Sequence, residues 1–512
     1  MIYFCSRMTS RIFSGATVGF DGQLIMVESD ASAGLPSLSI VGLGGKAIIE
    51  ARERVRSAIT NSGFSFPARR ITINLAPADL PKSGTHFDLP IALSILAVSG
   101  QLRAADTADT LLAGELALDG SLRPIKGTIH LGELARINGI KRLIIPYQNV
   151  AQAQMSGGVE IIGLGSLQEV YRYLKGETTL AHMHVPQAAS QPSLPQSPTI
   201  NEVYGQEHAK RAIAIAAAGH HNVLLTGPPG AGKTLLARVL GNLLPPLSID
   251  EKIATTKLHS LGTEHYDEII TTRPFRSPHH TASRTALIGG GSTPLPGEIS
   301  LAHLGVLFLD ELPEYPRSSL EALRQPLEDK TITITRASGS VRFPADFMLV
   351  ATKNPCPCGY YGDPVHACIC SPGAIAGYAN RLSGPLLDRI DLVVPVARVP
   401  HEQLLAPSDP DAPDRHAALQ ATIERARNAQ TRRYGTARTN ASLSSTELKS
   451  KIALPSDARD LLLAAAKRLD LSARSYFKII RVARSIADLD ASEEVSVAHI
   501  SEALQYRTSD TP

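Results

Sequence analysis

The stretch Gly227-Pro228-Pro229-Gly230-Ala231-Gly232-Lys233-Thr234, GPPGAGKT, decides how the chain around it folds. It fits the pattern GxxxxGK[ST], and its flanks are the ones that pattern needs. The apolar run NVLLT before it reads as a buried strand, and KTLLARVLGNLL reads as a helix starting at Lys233. Glycines let successive backbone N–H groups point into one concavity, and the helix N-terminus adds positive potential, so the loop is a cradle for phosphate. On this reading Lys233 reaches the β- and γ-phosphates of ATP and the Thr234 hydroxyl ligates Mg²⁺. A glycine-rich turn ahead of an ordinary core helix is the competing reading, but average residue usage produces the full pattern only about 0.02 times in a chain of this length.

Working outward, GVLFLDE (305–311) reads as a buried strand that delivers Asp310 and Glu311 at its C-terminal end, where ligands of open α/β sheets sit. Asp310 is expected to hold Mg²⁺ through water and Glu311 to polarise the attacking water. A third strand, FMLVAT, ends at Lys353-Asn354, which places Asn354 within reach of a γ-phosphate. Together these residues predict ATP hydrolysis.

The rest of the chain sets the frame. Its 512 residues exceed one ordinary core, and 43% hydrophobic with 19% charged residues is a globular balance. No apolar run reaches membrane-span length, and the first residues lack a signal-peptide pattern. Five cysteines exclude a secreted disulfide scaffold, so a reducing cytoplasm is expected. The net charge of +3 permits nucleic-acid binding through a local patch without requiring it.

Residues 1–182 alternate strand and helix signals, including the amphipathic helix KAIIEARERVRSAITNSG, the buried helix HFDLPIALSILAVSG and a hairpin turning at Asp119-Gly120. Residues 183–198 are a Pro/Ser/Gln-rich linker. Residues 199–400 are α/β with a parallel sheet, and 401–512 read almost entirely as helix.

By this point six blocks, in order, resemble the magnesium-chelatase-like AAA+ proteins of the YifB/ComM type. They are NEVYGQEHAKRAIAIAAAGHHNVLLTGPPGAGKT, RPFRSPHHTAS, GEISLAHLGVLFLDELPEY, NPCPCGYYGD, RLSGPLLDRIDL and SARSYFKIIRVARSIADL. The resemblance implies a P-loop AAA+ core with a C-terminal helical lid, working as a hexameric ring with ATP between subunits. It puts Asn354 at the sensor-1 position and Arg474 at sensor 2. Arg389 falls at the arginine-finger position, with Arg381 a neighbouring candidate, and a guanidinium acting in trans is worth about 10³–10⁵ in rate where such fingers operate. Read without the resemblance, each arginine is an ordinary surface or salt-bridging residue.

The N-terminal region resembles the α+β domain of Lon proteases, related to ribosomal S5 domain 2. In Pro81-Lys82-Ser83-Gly84-Thr85-His86, His86 stands where that domain carries its serine, and Ile129 stands where it carries its lysine. No nucleophile or base remains for acyl chemistry, so no peptidase activity and no peptide substrate are expected.

Family membership implies a DNA motor of the branch-migration kind, acting during homologous integration of transforming DNA. A chelatase-like motor that remodels partner subunits remains open beside it. Candidate phosphate contacts are Arg425, Arg427, Arg432, Arg433 and Arg438, for which a solvated helix face is the alternative. Arg336 and Arg342 on the hairpin TITITRASGSVRF, and Arg273, Arg276, His279 and His280, complete the set. None forms a base-reading pattern, so binding to branched or single-stranded DNA is expected to be salt-sensitive and indifferent to sequence.

Lys353 to Cys370, KNPCPCGYYGDPVHACIC, holds Cys356, Cys358, Cys368 and Cys370 as C-x-C-x₉-C-x-C. In extended chain, i and i+2 side chains share a face, so each pair can offer two thiolates to one ion. Four thiolates make a closed, structural Zn²⁺ site. Free reduced thiols, a disulfide and an iron–sulfur cluster are the alternatives. The insertion 356–370 begins one proline after Asn354, on the strand tip nearest the ATP.

Overall fold

The computed structural model describes residues 9–42, 46–80, 82, 84–178, 198–262, 268–291, 294–336, 339–400, 412–436 and 438–507. They form two compact units: residues 1–192 with 249–270, and residues 193–248 with 271–512. The expected linker lies outside the described residues except for Pro198.

The first unit is built on a seven-stranded mixed sheet. Its strands are β1 (Thr9–Val18), β2 (Asp21–Ser32), β3 (Ser37–Val41), β4 (Arg70–Ala76), β5 (Thr110–Leu112), β8 (Arg142–Pro146) and β9 (Glu160–Leu164), in the order β3-β4-β2-β1-β5-β8-β9. A two-stranded ribbon of β6 (Glu115–Leu116) and β7 (Leu122–Arg123) is the hairpin expected around Asp119-Gly120. β1 and β2 pair antiparallel from Thr9↔Asp30 to Val18↔Asp21, so the run GATVGFDGQLIMVES contains a turn. β4 shows why its sequence is a strand: Ile71, Ile73 and Leu75 alternate with polar residues, and all three are fully buried.

Helix α1 (Lys46–Asn61) carries Ile48, Ala51, Val55, Ala58 and Ile59 on one face, at the i, i+3, i+4, i+7 spacing of an amphipathic helix, and buries all five. Each large side chain among them stabilises by about 1.5–3 kcal/mol, so one buried charge, such as Val55→Asp, would detach the helix. α2 (Asp88–Val98) is apolar all round and buried on nearly every residue. Helices α3 (Thr128–Ile137), α4 (Val150–Gln154) and α5 (Leu167–Leu174) complete the unit. The segment 249–270 follows the GPPGAGKT helix in sequence but belongs here by its contacts: Lys257 pairs with Glu133 and lies 4.1 Å over the Phe20 ring.

The second unit has a five-stranded parallel sheet in the order β11-β14-β17-β10-β18. The strands are β10 (Val223–Thr226), β11 (Phe275–Arg276), β14 (Val306–Leu309), β17 (Met348–Lys353) and β18 (Leu392–Pro395). Two antiparallel ribbons accompany it, β12 (Gly289–Gly290) with β13 (Leu295–Pro296) and β15 (Thr331–Arg336) with β16 (Gly339–Pro344). Helices α6 (Glu207–Gly219) and α7 (Lys233–Leu243) flank the sheet, and helices Ala412–Tyr434, Ser456–Arg468, Ala473–Leu489 and Val497–Gln505 follow as expected. The core joins the sheet to α6, α7 and these helices through Leu225, Val239, Val350, Ile423, Ile480 and Ile486, among others. Because every strand runs the same way, the residues after Thr226, Leu309 and Lys353 leave one edge of the sheet side by side. Among the described residues no helix is long and apolar enough to cross a membrane.

Candidate active site

The site grows from that edge. β10 is buried and pairs with β17 in register Thr226↔Lys353, and the Gly227 N–H donates to the Lys353 carbonyl at 3.2 Å. The chain then turns through Gly230 (φ 77°) and Gly232 (φ 85°), left-handed conformations that a side chain would strain, and α7 begins at Lys233. Lys233 is 9% exposed. Its Nζ donates to the Gly227 carbonyl (2.6 Å), the Pro228 carbonyl (2.9 Å) and Asn354 Oδ1 (3.0 Å). Burial lowers its pKa, opposed by the nearby charges of Asp310 and Glu311. Thr234 is half-buried one residue further on. The loop lysine and the strand-tip asparagine, 121 positions apart in sequence, are thus hydrogen-bonded.

β17 lies between β10 and β14, and its Thr352 organises the two carboxylates. The fully buried Thr352 Oγ1 donates to Asp310 Oδ1 at 2.5 Å and accepts from the Glu311 N–H at 2.8 Å. Glu311 adopts φ 52°, a left-handed backbone costing roughly 1–2 kcal/mol outside glycine, so that hydrogen bond holds a strained turn in place. Both carboxylates are exposed. Thr352 escaped sequence reading because its role depends on the β14–β17 register, Leu309↔Ala351, which no local pattern encodes.

The three arginines separate into two places. Arg389 Nη2 and Arg474 Nη2 both lie 2.6 Å from the same oxygen, Glu328 Oε1, on the helix Arg324–Asp329. Arg389 is only 8% exposed at its side chain and also donates to the Pro385 carbonyl, whereas Arg474 is 42% exposed. Arg381 is 51% exposed; it pairs with Glu314 at 2.8 Å, just past Glu311, and lies 5.6 Å from the centre of the Tyr378 ring. Glu328 was not anticipated, since nothing in its own neighbourhood marks it as the shared partner of two arginines far along the chain.

Beside the loop is a cavity of about 380 Å³, lined by Tyr204, Gln206, Gly230, Leu235, Leu236 and Arg398 among others. Gln206 stitches its walls: the side-chain amide donates to the Ala231 carbonyl (2.9 Å) and the Ala397 carbonyl (2.8 Å). The cavity opens beside the phosphate loop, and its walls mix apolar side chains with Glu202, Gln206 and Arg398.

The four cysteines converge. Their Sγ atoms all lie within 4.8 Å of one another, with Cys356–Cys358 at 3.3 Å, Cys356–Cys368 at 3.7 Å and Cys358–Cys368 at 3.6 Å. A tetrahedral ion with Zn–S bonds of about 2.3 Å requires sulfur–sulfur edges of about 3.8 Å, so the donor set and spacing fit one zinc ion. Backbone N–H groups support the sulfurs, from Tyr361 to Cys356 and from Cys358 to Cys370. Hydrogen bonds from Tyr360 and Ile369 bring the Cys358 thiol down to about 6. His366 packs edge-on against Tyr360 and is not in the cluster.

Five of the nine arginines considered for phosphate contact are braces. Arg427 donates to the Ala217 carbonyl, Arg433 pairs with buried Asp488, and Arg438 pairs with Glu447, which corrects the expectation of a solvated or DNA-facing run; only Arg425 and Arg432 of that run are exposed. Arg276 grips Glu298 with two bonds (2.6 and 2.7 Å), and Arg273 donates to the Pro245 and Leu304 carbonyls. RPFRSPHHTAS (273–283) contains the short edge strand β11, and of the pair His279–His280 only His279 is well exposed. Arg336 and Arg342, on the β15–β16 ribbon, remain exposed.

In the first unit, His86 is half-buried with Nε2 2.9 Å from the Gly15 carbonyl, and desolvation lowers its pKa to about 4. Ile129 is fully buried in the apolar core. No arrangement of hydroxyl and base is present at these two positions.

Comparison with known proteins matches three stretches. The family model for "Magnesium chelatase, subunit ChlI" matches residues 199–404, "Subunit ChlI of Mg-chelatase" matches 27–149, and "Magnesium chelatase, subunit ChlI C-terminal" matches 414–507. The chain is 43% identical to the competence protein ComM of Haemophilus influenzae, over 97% of each protein. It is 42% identical to the uncharacterized protein YifB of Escherichia coli, over 98% of this chain and 97% of the relative. A weaker likeness, 27% over 32% of this chain and 21% of the relative, joins it to Lon protease homolog 2, peroxisomal, of Oryza sativa.

Proposed function

Because the chain belongs to the YifB/ComM family of magnesium-chelatase-like AAA+ proteins, we propose that it is a homohexameric ATPase that moves on DNA and drives branch migration during natural transformation. The observation that carries the ATPase reading is the convergence of Lys233, Asn354, Asp310 and Glu311 on adjacent strand ends, with Thr352 and the loop carbonyls holding them.

In this reading the N–H groups of 227–234 and the Lys233 ammonium bind the ATP phosphates, and Asn354 orients Lys233 and the terminal phosphoryl. Glu311, exposed at the strand end, accepts a hydrogen bond from the attacking water and takes up its proton. Thr234 and Asp310 would hold Mg²⁺, which neutralises phosphate charge. Arg381 is favoured as the group offered to a neighbouring subunit, since both arginines pair with a glutamate of their own chain but the Arg381 side chain is 51% exposed and that of Arg389 only 8%. Arg474 closes the lid side of the site through the same carboxylate. Cys356, Cys358, Cys368 and Cys370 would hold a structural Zn²⁺. The first unit serves as ring scaffold without peptidase activity.

The DNA reading draws on the full-length likeness to a competence protein and on exposed Arg336 and Arg342; binding should weaken steeply with salt. A protein-remodelling, chelatase-like motor is favoured only by the names of the matching family models. Measuring unwinding of a four-way DNA junction separates them. Wild type should unwind it with ATP and Lys233→Ala should not; no unwinding by either, with ATPase indifferent to DNA, would remove the DNA reading.

A further inference from the structure

The cysteine knuckle does not stand apart from the nucleotide cavity. Gly359, directly after Cys358, has φ 84° and is buried; a Cβ there would come within 2.7 Å of Pro229 Cδ, so the knuckle backbone presses on the phosphate loop. The Gly359 N–H donates to the Cys356 carbonyl at 3.0 Å, which fixes the turn between the two sulfur-bearing residues.

The loop between the cysteine pairs also contacts Arg398. Asp363, 2% exposed at its side chain, has Oδ1 fastened by the N–H groups of Val365 (2.8 Å) and His366 (3.0 Å), and its Oδ2 lies 3.3 Å from Arg398 Nε. Tyr360 presents its ring 5.5 Å from the Arg398 guanidinium carbon. Arg398 thus has its Nε side in ion-pair contact with a carboxylate, at 3.3 Å but without hydrogen-bond geometry, and one face covered by an aromatic ring, both supplied by residues between the cysteine pairs. Its side chain is 35% exposed and lines the cavity with Tyr204 and Leu236. A guanidinium fixed in this way directs its Nη donors without losing further conformational entropy on binding.

We propose that Arg398 positions the nucleoside end of ATP and that the four-cysteine knuckle sets Arg398, so that metal occupancy of the thiols governs nucleotide affinity. This rests on the ATPase reading. The loop and Lys233 hold the phosphate end, so contacts from Arg398 are common to ATP and ADP, and the loss of Arg398 weakens both alike.

The test is equilibrium binding of fluorescent ATP and ADP analogues to the full chain, with zinc content measured on each sample. Arg398→Ala, at a partly exposed position, should weaken both nucleotides about tenfold, the scale of one charge-assisted hydrogen bond, with metal content unchanged. Asp363→Asn should weaken both about threefold, the loss expected when a charged orienting partner becomes neutral. Stripping the metal from wild type with a chelator should weaken both about as much as Arg398→Ala and reverse on adding zinc, while leaving the affinity of Arg398→Ala unaltered. Wild-type affinity in Arg398→Ala, or loss of ATP binding alone, would overturn the nucleoside assignment. Less than half an equivalent of metal per chain, or unchanged affinity after stripping, would overturn the coupling. Wild type that binds neither nucleotide would instead overturn the ATPase reading beneath it.

Discussion

Replacing Thr352 by valine keeps the branched shape and removes one hydroxyl. In the folded protein that hydroxyl donates to Asp310 at 2.5 Å and accepts from the Glu311 N–H at 2.8 Å, in a fully buried position. A hydrogen bond to a charged group contributes about 1.5–3 kcal/mol and a neutral one about 0.5–1.5 kcal/mol. Asp310 and Glu311 are exposed and can turn to water, so the lower ends apply, and the expected loss of folding stability is about 1–2 kcal/mol. The larger effect should fall on turnover. Without the hydroxyl, Asp310 loses its orienting donor and the left-handed turn at Glu311 loses its tether, while the phosphate loop is untouched. A misaligned base and Mg²⁺ ligand together costing about 1.4–2.7 kcal/mol in the transition state reduce kcat about 10–100-fold. ATP affinity should change by less than about threefold, as expected when an interaction is made only in the transition state. Steady-state phosphate release and nucleotide binding on Thr352→Val and Thr352→Ser check this, with serine expected to recover most of the rate. Full turnover by Thr352→Val would refute the claim that Thr352 organises the carboxylates.

Glu328→Ala should lower folding stability by about 2–3 kcal/mol, because it strands the Arg389 guanidinium at 8% exposure; a melting temperature unchanged from wild type would refute the shared-carboxylate account. Burial holds His86 near 4 and His130 near 3, both below the ordinary histidine value. The unfolded chain therefore binds more protons than the folded one below about pH 6.5, and the stability these residues contribute is lost as pH falls from there towards 4. Asp88, raised to about 6 by burial against the pull of Arg54, acts in the opposite sense between pH 4 and 6 and reduces the net fall. Urea midpoints between pH 6.5 and 4.5 should drop, with His130→Leu flattening the drop; a flat wild-type profile would contradict the assignment. Purified protein should not cleave casein with ATP, and cleavage that also disappears in a His86→Ala variant would overturn the inert reading of the first unit.

Much of the site could be read from local sequence because its chemistry sits at strand ends. An apolar run followed by GPPGAGKT, and another followed by Asp310-Glu311, each announce both a strand and the edge where ligands bind. Asn354 could be named for the same reason, and the CxC spacing signalled a cluster before any fold was known. What escaped were relations between distant segments. Thr352 matters only through strand register, and Gln206 only because residues 231 and 397 meet across the cavity. Glu328 gains its role from Arg389 and Arg474, and within the basic run Arg433, Arg438 and Arg427 are taken up by Asp488, Glu447 and a backbone carbonyl. The segment 249–270 carries no sequence mark showing that it packs with the first unit. Apolar periodicity reports which face is buried, but not against which distant residue.

The central claim is an ATPase whose cycle is spent on DNA. Its most direct measurement is ATP hydrolysis by wild type, Lys233→Ala and Glu311→Gln with and without a four-way junction, scored for phosphate release and strand separation in one sample. The account predicts junction-stimulated hydrolysis with unwinding in wild type, both lost in Lys233→Ala. It predicts retained ATP binding without turnover in Glu311→Gln. Hydrolysis that ignores DNA and leaves the junction intact, or that survives in Lys233→Ala, would contradict it.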